Sequence, residues 1–219
     1  MDFIGKDKHA NIRKTIHLIR HGQTDFNKKN IIQGSGIDSN LNAFGKEQAR
    51  KYFEYYKIKI ISRFTHQKLK RTIESVELFI SNGLPHSSHE EFNEINWGIM
   101  EGQESNPENK VIYENIVNSW TNGELHIAIQ NGETPLEMFE RQKKGLQILM
   151  EKQDEEKILL CMHGRAMRSF LCLLTNTPLN EMEKWQHSNL CLYELNYNGI
   201  CFDITKSNDT SHLKELIQS

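Results

Sequence analysis

Thr15-Ile16-His17-Leu18-Ile19-Arg20-His21-Gly22-Gln23-Thr24 is the stretch whose reading decides the fold. Its first half is a short apolar run after a charged leader, and it stops at Arg20-His21-Gly22, as a buried strand running into a loop would. A second run, Ile158-Leu159-Leu160-Cys161-Met162, is the most apolar strand candidate in the chain and stops in the same way at His163-Gly164. Between and around these two, helical and strand patterns alternate. Asn42 to Lys57 reads as a helix, Ile58 to Phe64 as a strand, and Gln67 to Ile80 as a helix with Leu69, Ile73 and Val76 at helical spacing. The chain is expected to turn at Asn82-Gly83-Leu84-Pro85 and to run as a loop from Glu101 to Asn109, around Gly102 and Pro107. Helices are predicted over Val111 to Trp120, Pro135 to Lys152 (opened by Thr134 as N-cap) and Arg165 to Leu174. Two strands, Leu190 to Tyr197 and Ile200 to Thr205, joined by an Asn198-Gly199 hairpin signal, and a short terminal helix complete the pattern.

Alternating strands and helices predict an α/β three-layer sandwich, with a mostly parallel central sheet and helices on both faces. We read one domain over 1–219, with a polar leader at 1–13 and an insert at 103–133. In such sheets ligands bind at the carboxyl ends of the strands, so His21 and His163 are expected to share one pocket.

Composition narrows the function classes. The 219 residues are 37% hydrophobic and 26% charged, with a formal net charge of -2, so no global field would hold the chain on nucleic acid or an anionic membrane. No apolar run approaches the ~18 residues of a membrane span, and Met1 to Lys14 lacks a signal peptide's apolar stretch, so a cytoplasmic location is expected. Cys161, Cys172, Cys191 and Cys201 include no C-x-x-C pair, which argues against a zinc site or a disulfide framework and for free thiols. No metal and no cofactor are expected, and the oligomeric state is left open, a dimer included.

Four ordered motifs carry a resemblance. Arg20-His21-Gly22-Gln23-Thr24 with Asn27 and Gln33-Gly34, Leu69-Lys70-Arg71-Thr72, Glu94-Ile95-Asn96-Trp97-Gly98-Ile99-Met100-Glu101-Gly102 and Cys161-Met162-His163-Gly164 together resemble the histidine phosphatase superfamily, in its phosphoglycerate-mutase-like branch. The resemblance implies that His21 attacks phosphorus and carries the phosphoryl group, and that Glu94 gives the leaving alkoxide its proton. The chemistry of phosphoryl transfer supports the same residue types, because the protein must chiefly position and neutralise three equatorial oxygens. Arginine's planar, permanently charged fork suits that, so Arg20 and Arg71 are read as phosphate clamps. A neutral imidazole is a competent nucleophile. His163 would donate hydrogen bonds to the transferring group and, if protonated, add positive charge. Gly22 is expected to let the backbone approach the phosphate, Asn27 to supply an amide donor, and Gln33, Gly34 and Gly164 to contact a small phosphorylated substrate.

The remaining histidines, His187 among them, are read as structural or surface residues, and Arg165 and Arg168 as helix-capping, surface or substrate-facing. Phosphatase and mutase are separated on the insert: Gln103 to Glu133 holds only Lys110 as a basic side chain besides His126. That leaves little to grip an acidic substrate, and Gly132-Glu133-Thr134 resembles an element of the phosphatase members, so a hydrolase is favoured over an isomerase. A silent binder of phosphorylated ligands is the alternative of a different class, opposed by the full set of proposed catalytic residues. A dinucleotide-binding domain fails for want of G-x-G-x-x-G after the first strand.

Overall fold

The apolar runs at 15–20 and 157–162 lie side by side. In the computed structural model, which describes residues 13–57, 63–66, 69–152 and 154–217, β1 (Thr15–Arg20) pairs in parallel with β4 (Lys157–Met162), Thr15 opposite Lys157 and Arg20 opposite Met162. β2 (Arg63–His66) pairs in parallel with the far side of β4, and β3 (His86–Ser88) with β2. On the other side of β1 the antiparallel strands β5 (Leu192–Tyr197) and β6 (Phe202–Asp209) complete the order β3-β2-β4-β1-β5-β6.

Both faces of the central strands are covered, which is why their sequences read as continuous apolar runs and not as alternation. On one face Ile16, Leu18, Ile158, Leu160 and Met162 join residues of α4 (Pro107–Thr121), α5 (Pro135–Glu151) and α6 (Gly164–Leu174), including Trp120, Met138, Leu146 and Phe170. On the other, Ile19, Leu159 and Cys161 pack with Tyr52 and Tyr56 of α2 (Ala43–Tyr56) and Val76 and Phe79 of α3 (Lys70–Ser81). The result is the expected sandwich.

Several boundaries differ from the sequence reading. The strand expected over 58–64 is described from Arg63 to His66 only; 58–62 lie outside the described residues, as do 1–12 of the leader and 67–68, where α3 was expected to begin. The loop expected to Asn109 ends earlier, because the Asn106 side chain accepts from Asn109 N at 2.8 Å and Pro107 occupies the first turn of α4. Asn-Pro here starts a helix where it was read as part of a turn. A one-turn helix, α1 (Asp25–Lys28), was not expected; Thr24 and Asn27 close a capping box at its start. The β5–β6 connection is a four-residue loop, in which Asn198 Oδ1 accepts from Ile200 N and Cys201 N and Gly199 takes φ 99°. A last short helix, α7 (Lys214–Ile217), packs beside α2. No helix among the described residues is long and apolar enough to cross a membrane.

Candidate active site

Parallel pairing in register carries β1 and β4 to the same end of the sheet, so the residues that follow them meet. His21 N donates to Met162 O at 3.0 Å, and the His21 and His163 rings lie 5.1 Å apart between centroids, inclined at 57°. Both are buried. Their hydrogen-bond partners fix where each proton sits. His21 Nδ1 lies 2.7 Å from Gly22 O, and a carbonyl can only accept, so Nδ1 carries the proton and Nε2 keeps a lone pair. His163 Nδ1 receives Arg71 Nε–H at 3.0 Å, and a guanidinium can only donate, so the proton of His163 is on Nε2.

Burial, followed by the charges of Arg71 and Arg20, holds His21 well below the ordinary histidine pKa. Burial and Arg71 do the same to His163. His163 is therefore set up as a neutral donor, without the added charge that protonation would bring.

Arg71 is fully buried. Besides His163 it donates through Nη1 to Ile37 O and through Nη2 to Gly34 O at 3.1 Å, which uses three of its five N–H groups. Arg20 is less committed: Nη1 donates to His187 Nδ1 at 3.2 Å, and Nε is buried without a partner among the described residues.

Two glycines make close approaches that the sequence did not show. A Cβ on Gly22 would come within 2.8 Å of Gly45 O in α2, and one on Gly45 would strike the backbone of Gln23, so this pair of glycines lets α2 close on the loop after β1. A Cβ on Gly34 would overlap the Glu101 carboxylate, which accepts from Gly36 N and Trp97 N, each at 3.0 Å. Gly22 and Gly34 thus make room for Gly45 of α2 and for the Glu101 carboxylate.

A cavity of about 520 Å³ opens at these strand ends, lined by Arg20, His21, Asn27, Gln33, Glu94 and Gly164 among others. Asn27 Oδ1 accepts from Thr24 N and Oγ1, each at 3.1 Å, and from Asn189 Nδ2 at 3.3 Å, so the Asn27 amide NH2 is left for a ligand. Gln33 is tied to Thr24 and Ser39. Glu94 sits at the start of α6: Oε1 accepts from Ile95 N and Ala166 N at 2.9 and 2.8 Å, and Oε2 from Arg165 N at 3.1 Å. Arg141 braces this loop, donating to Glu91 O and Glu94 O while gripping both oxygens of Glu133. That pairing gives Glu133, in the Gly132-Glu133-Thr134 element, a structural role.

Part of the lining was left open by the sequence or read differently. His187, Arg165, Arg168 and Tyr113 face the same cavity. The Arg165 guanidinium lies 5.6 Å from the Trp97 ring centroid and 5.4 Å from that of Trp120, donates to Tyr113 Oη at 2.9 Å and shares Glu183 with Arg168. Of the readings left open for Arg165 and Arg168, the lining agrees with the substrate-facing one; nothing around His187, read as structural or surface, hinted at its place. Among the described residues no three His, Cys, Asp or Glu side chains gather as a metal site would require.

Comparison with known proteins agrees with this sheet and shows the family. Residues 16–210 match the family model of the histidine phosphatase superfamily (branch 1), and the chain belongs to that superfamily. It is similar to the "Uncharacterized phosphatase PhoE" of Bacillus subtilis, 29% identical over 204 residues that cover 92% of this chain and 97% of the relative. It is also similar to the "Probable phosphoglycerate mutase GpmB" of Yersinia enterocolitica, 26% identical over 207 residues covering 90% and 94%. Among solved structures, the alpha-ribazole phosphatase of Shigella flexneri superposes with a TM-score of 0.78 at 23% identity, over 89% of this chain and 96% of the other, a likeness of fold.

Proposed function

We propose that the protein hydrolyses small phosphomonoesters through a phosphohistidine on His21. The observation that carries this reading is the tautomer of His21. With Nδ1–H held by Gly22 O, the lone pair of Nε2 is free on a ring lining the cavity, and the low pKa keeps it free at neutral pH. Nε2 attacks phosphorus while the phosphorus–oxygen bond to the leaving group breaks. Arg20, the remaining donors of Arg71, the Asn27 amide and His163 Nε2–H meet the charge on the equatorial oxygens. The departing alkoxide takes its proton from Glu94 Oε2. In the second half the Glu94 carboxylate accepts a proton from water as that water attacks the phosphohistidine, releasing inorganic phosphate and restoring both groups.

Hydrolysis is favoured over isomerisation because Lys110 is the single basic side chain that the insert brings to the cavity lining, while the charges of Arg165 and Arg168 are met by Glu183. A phosphoglycerate carboxylate would have to displace that pairing. Rapid quenching with an aryl phosphate should trap an acid-labile, base-stable phosphoryl label on the protein. With 3-phosphoglycerate the product should be inorganic phosphate. Formation of the 2-phospho isomer at a comparable rate would make the protein a mutase, and turnover without a trapped label would remove the phosphohistidine.

A further inference from the structure

Three arginines line the cavity, and they are held in two different ways. Arg165 and Arg168 share the Glu183 carboxylate, which offsets their charge. Arg20 is held by a neutral ring, His187, whose Nδ1 must accept because a guanidinium only donates. Arg71 follows the same pattern as Arg20, with His163 and two carbonyls as its acceptors. A neutral acceptor orients a guanidinium and leaves its charge for the ligand; a carboxylate in the same place would compete with a phosphate for it.

His187 reaches Arg20 from the segment leading into β5, across 167 residues of sequence. Its ring lies over the first residue of α6: a Cβ on Gly164 would come 3.1 Å from Cε1 and 3.3 Å from Nε2, with Arg20 Nε 3.7 Å away. Gly164 is therefore the floor that lets ring and guanidinium meet. Burial, then Arg20, Arg168 and Arg165, push the His187 pKa down to about 3, so the ring keeps its acceptor at any working pH. His187 is the one hydrogen-bond partner of the Arg20 side chain among the described residues.

We infer that His187 is a positioning residue, which sets the Arg20 guanidinium for the phosphoryl oxygens by accepting its Nη1–H at Nδ1 over the floor made by Gly164. The inference rests on the phosphohydrolase reading of the cavity. It is tested by measuring inorganic phosphate affinity by calorimetry, with kcat and KM on an aryl phosphate, for wild type, His187→Ala, His187→Asn and His187→Gln. Asparagine sets Oδ1 where Nδ1 was; glutamine fills the space but carries its acceptor one bond farther out. His187→Ala should weaken phosphate binding by about 10-fold, the loss of one charge-assisted hydrogen bond. His187→Asn should recover to within about threefold of wild type, and His187→Gln should not. Thermal midpoints identify any variant that has merely unfolded, and the contrast between asparagine and glutamine then still decides. Unchanged phosphate affinity in His187→Ala, or equal affinity in the asparagine and glutamine variants, overturns the inference. If wild type binds phosphate with this ranking but turns over no ester, the hydrolase reading fails and the role of His187 stands; if wild type binds no phosphate, both fall.

Discussion

His21 and His163 follow adjacent parallel strands, lie ring against ring and are both buried, yet they carry their protons on opposite nitrogens. The difference lies entirely in the partner of Nδ1. Gly22 O, a neighbour in sequence, takes the proton of His21, while Arg71 Nε, 92 residues away from His163, supplies one to that ring. One histidine thereby becomes a base with a free Nε2 and the other a donor at Nε2. Strand ends supply the location; the tautomers supply the division of labour.

Glutamine substitution breaks the comparison most sharply, because a glutamine amide retains an N–H near Nε2 but has no nucleophilic lone pair there. His21→Gln should be as inactive as His21→Ala, with turnover at background and no label. His163→Ala should lower kcat by ~10²–10³-fold through loss of one oxyanion donor, and His163→Gln should recover at least ~10-fold of that. Steady-state rates on one aryl ester check all four. Recovery by glutamine at 21, or none at 163, would reverse the proposed roles.

How much of this was legible in the sequence follows from the range of the interactions. The ends of β1 and β4 were legible because each apolar run is local and stops at a charged or histidine-containing turn, and parallel pairing then brings His21, Arg20 and His163 together without further information. The packing roles of Gly22 and Gly34 were not legible because the atoms that exclude a side chain belong to Gly45 and Glu101, 23 and 67 positions away. The same holds for His187, whose contact to Arg20 leaves no local pattern, and for Arg165, whose guanidinium lies beside both Trp97 and Trp120. β3 was missed because its three residues, His86–Ser88, are polar and partly exposed, as an edge strand's are.

Glu94 sharpens the comparison at the leaving-group side, since in the proposed mechanism it gives a proton where His21 lacks one. Glu94→Gln keeps size and polarity but cannot supply an acidic proton, so hydrolysis of an alkyl phosphate should fall by ~10²-fold or more. Label formation from an aryl phosphate, whose phenolate leaves unaided, should fall much less. Single-turnover labelling with both esters separates the cases; equal loss for both would remove Glu94 as the acid. Glu101, also near this loop, is held on Gly36 N and Trp97 N and does not line the cavity, so it offers no substitute.

The smallest expected effect is on stability, and it concerns what keeping His21 and His163 neutral requires of the fold. Both have pKa values well below the ordinary histidine value near 6.5, and burial likewise pushes His187 down to about 3 and His212 to about 4. In the unfolded chain these groups protonate as pH drops through ~6.5, while in the folded protein they do not, so the unfolded state binds more protons and is favoured by acid. Stability is therefore full above about pH 6.5 and is lost progressively below it, each such histidine contributing up to ~1.4 kcal/mol per pH unit until its folded pKa is reached. His212 gives the control. Its Nε2 is 2.8 Å from Leu190 O and it is absent from the cavity lining, so His212→Asn should reduce the acid slope by about one proton and leave the acid limb of kcat/KM where it was. Denaturant midpoints between pH 7 and 5, set beside the pH profile of the aryl phosphatase rate, measure both quantities. A stability that is flat over that range would mean that the folded protein protonates these rings as readily as the unfolded chain does, and the neutral His21 on which the proposed nucleophilic attack depends would be lost with it.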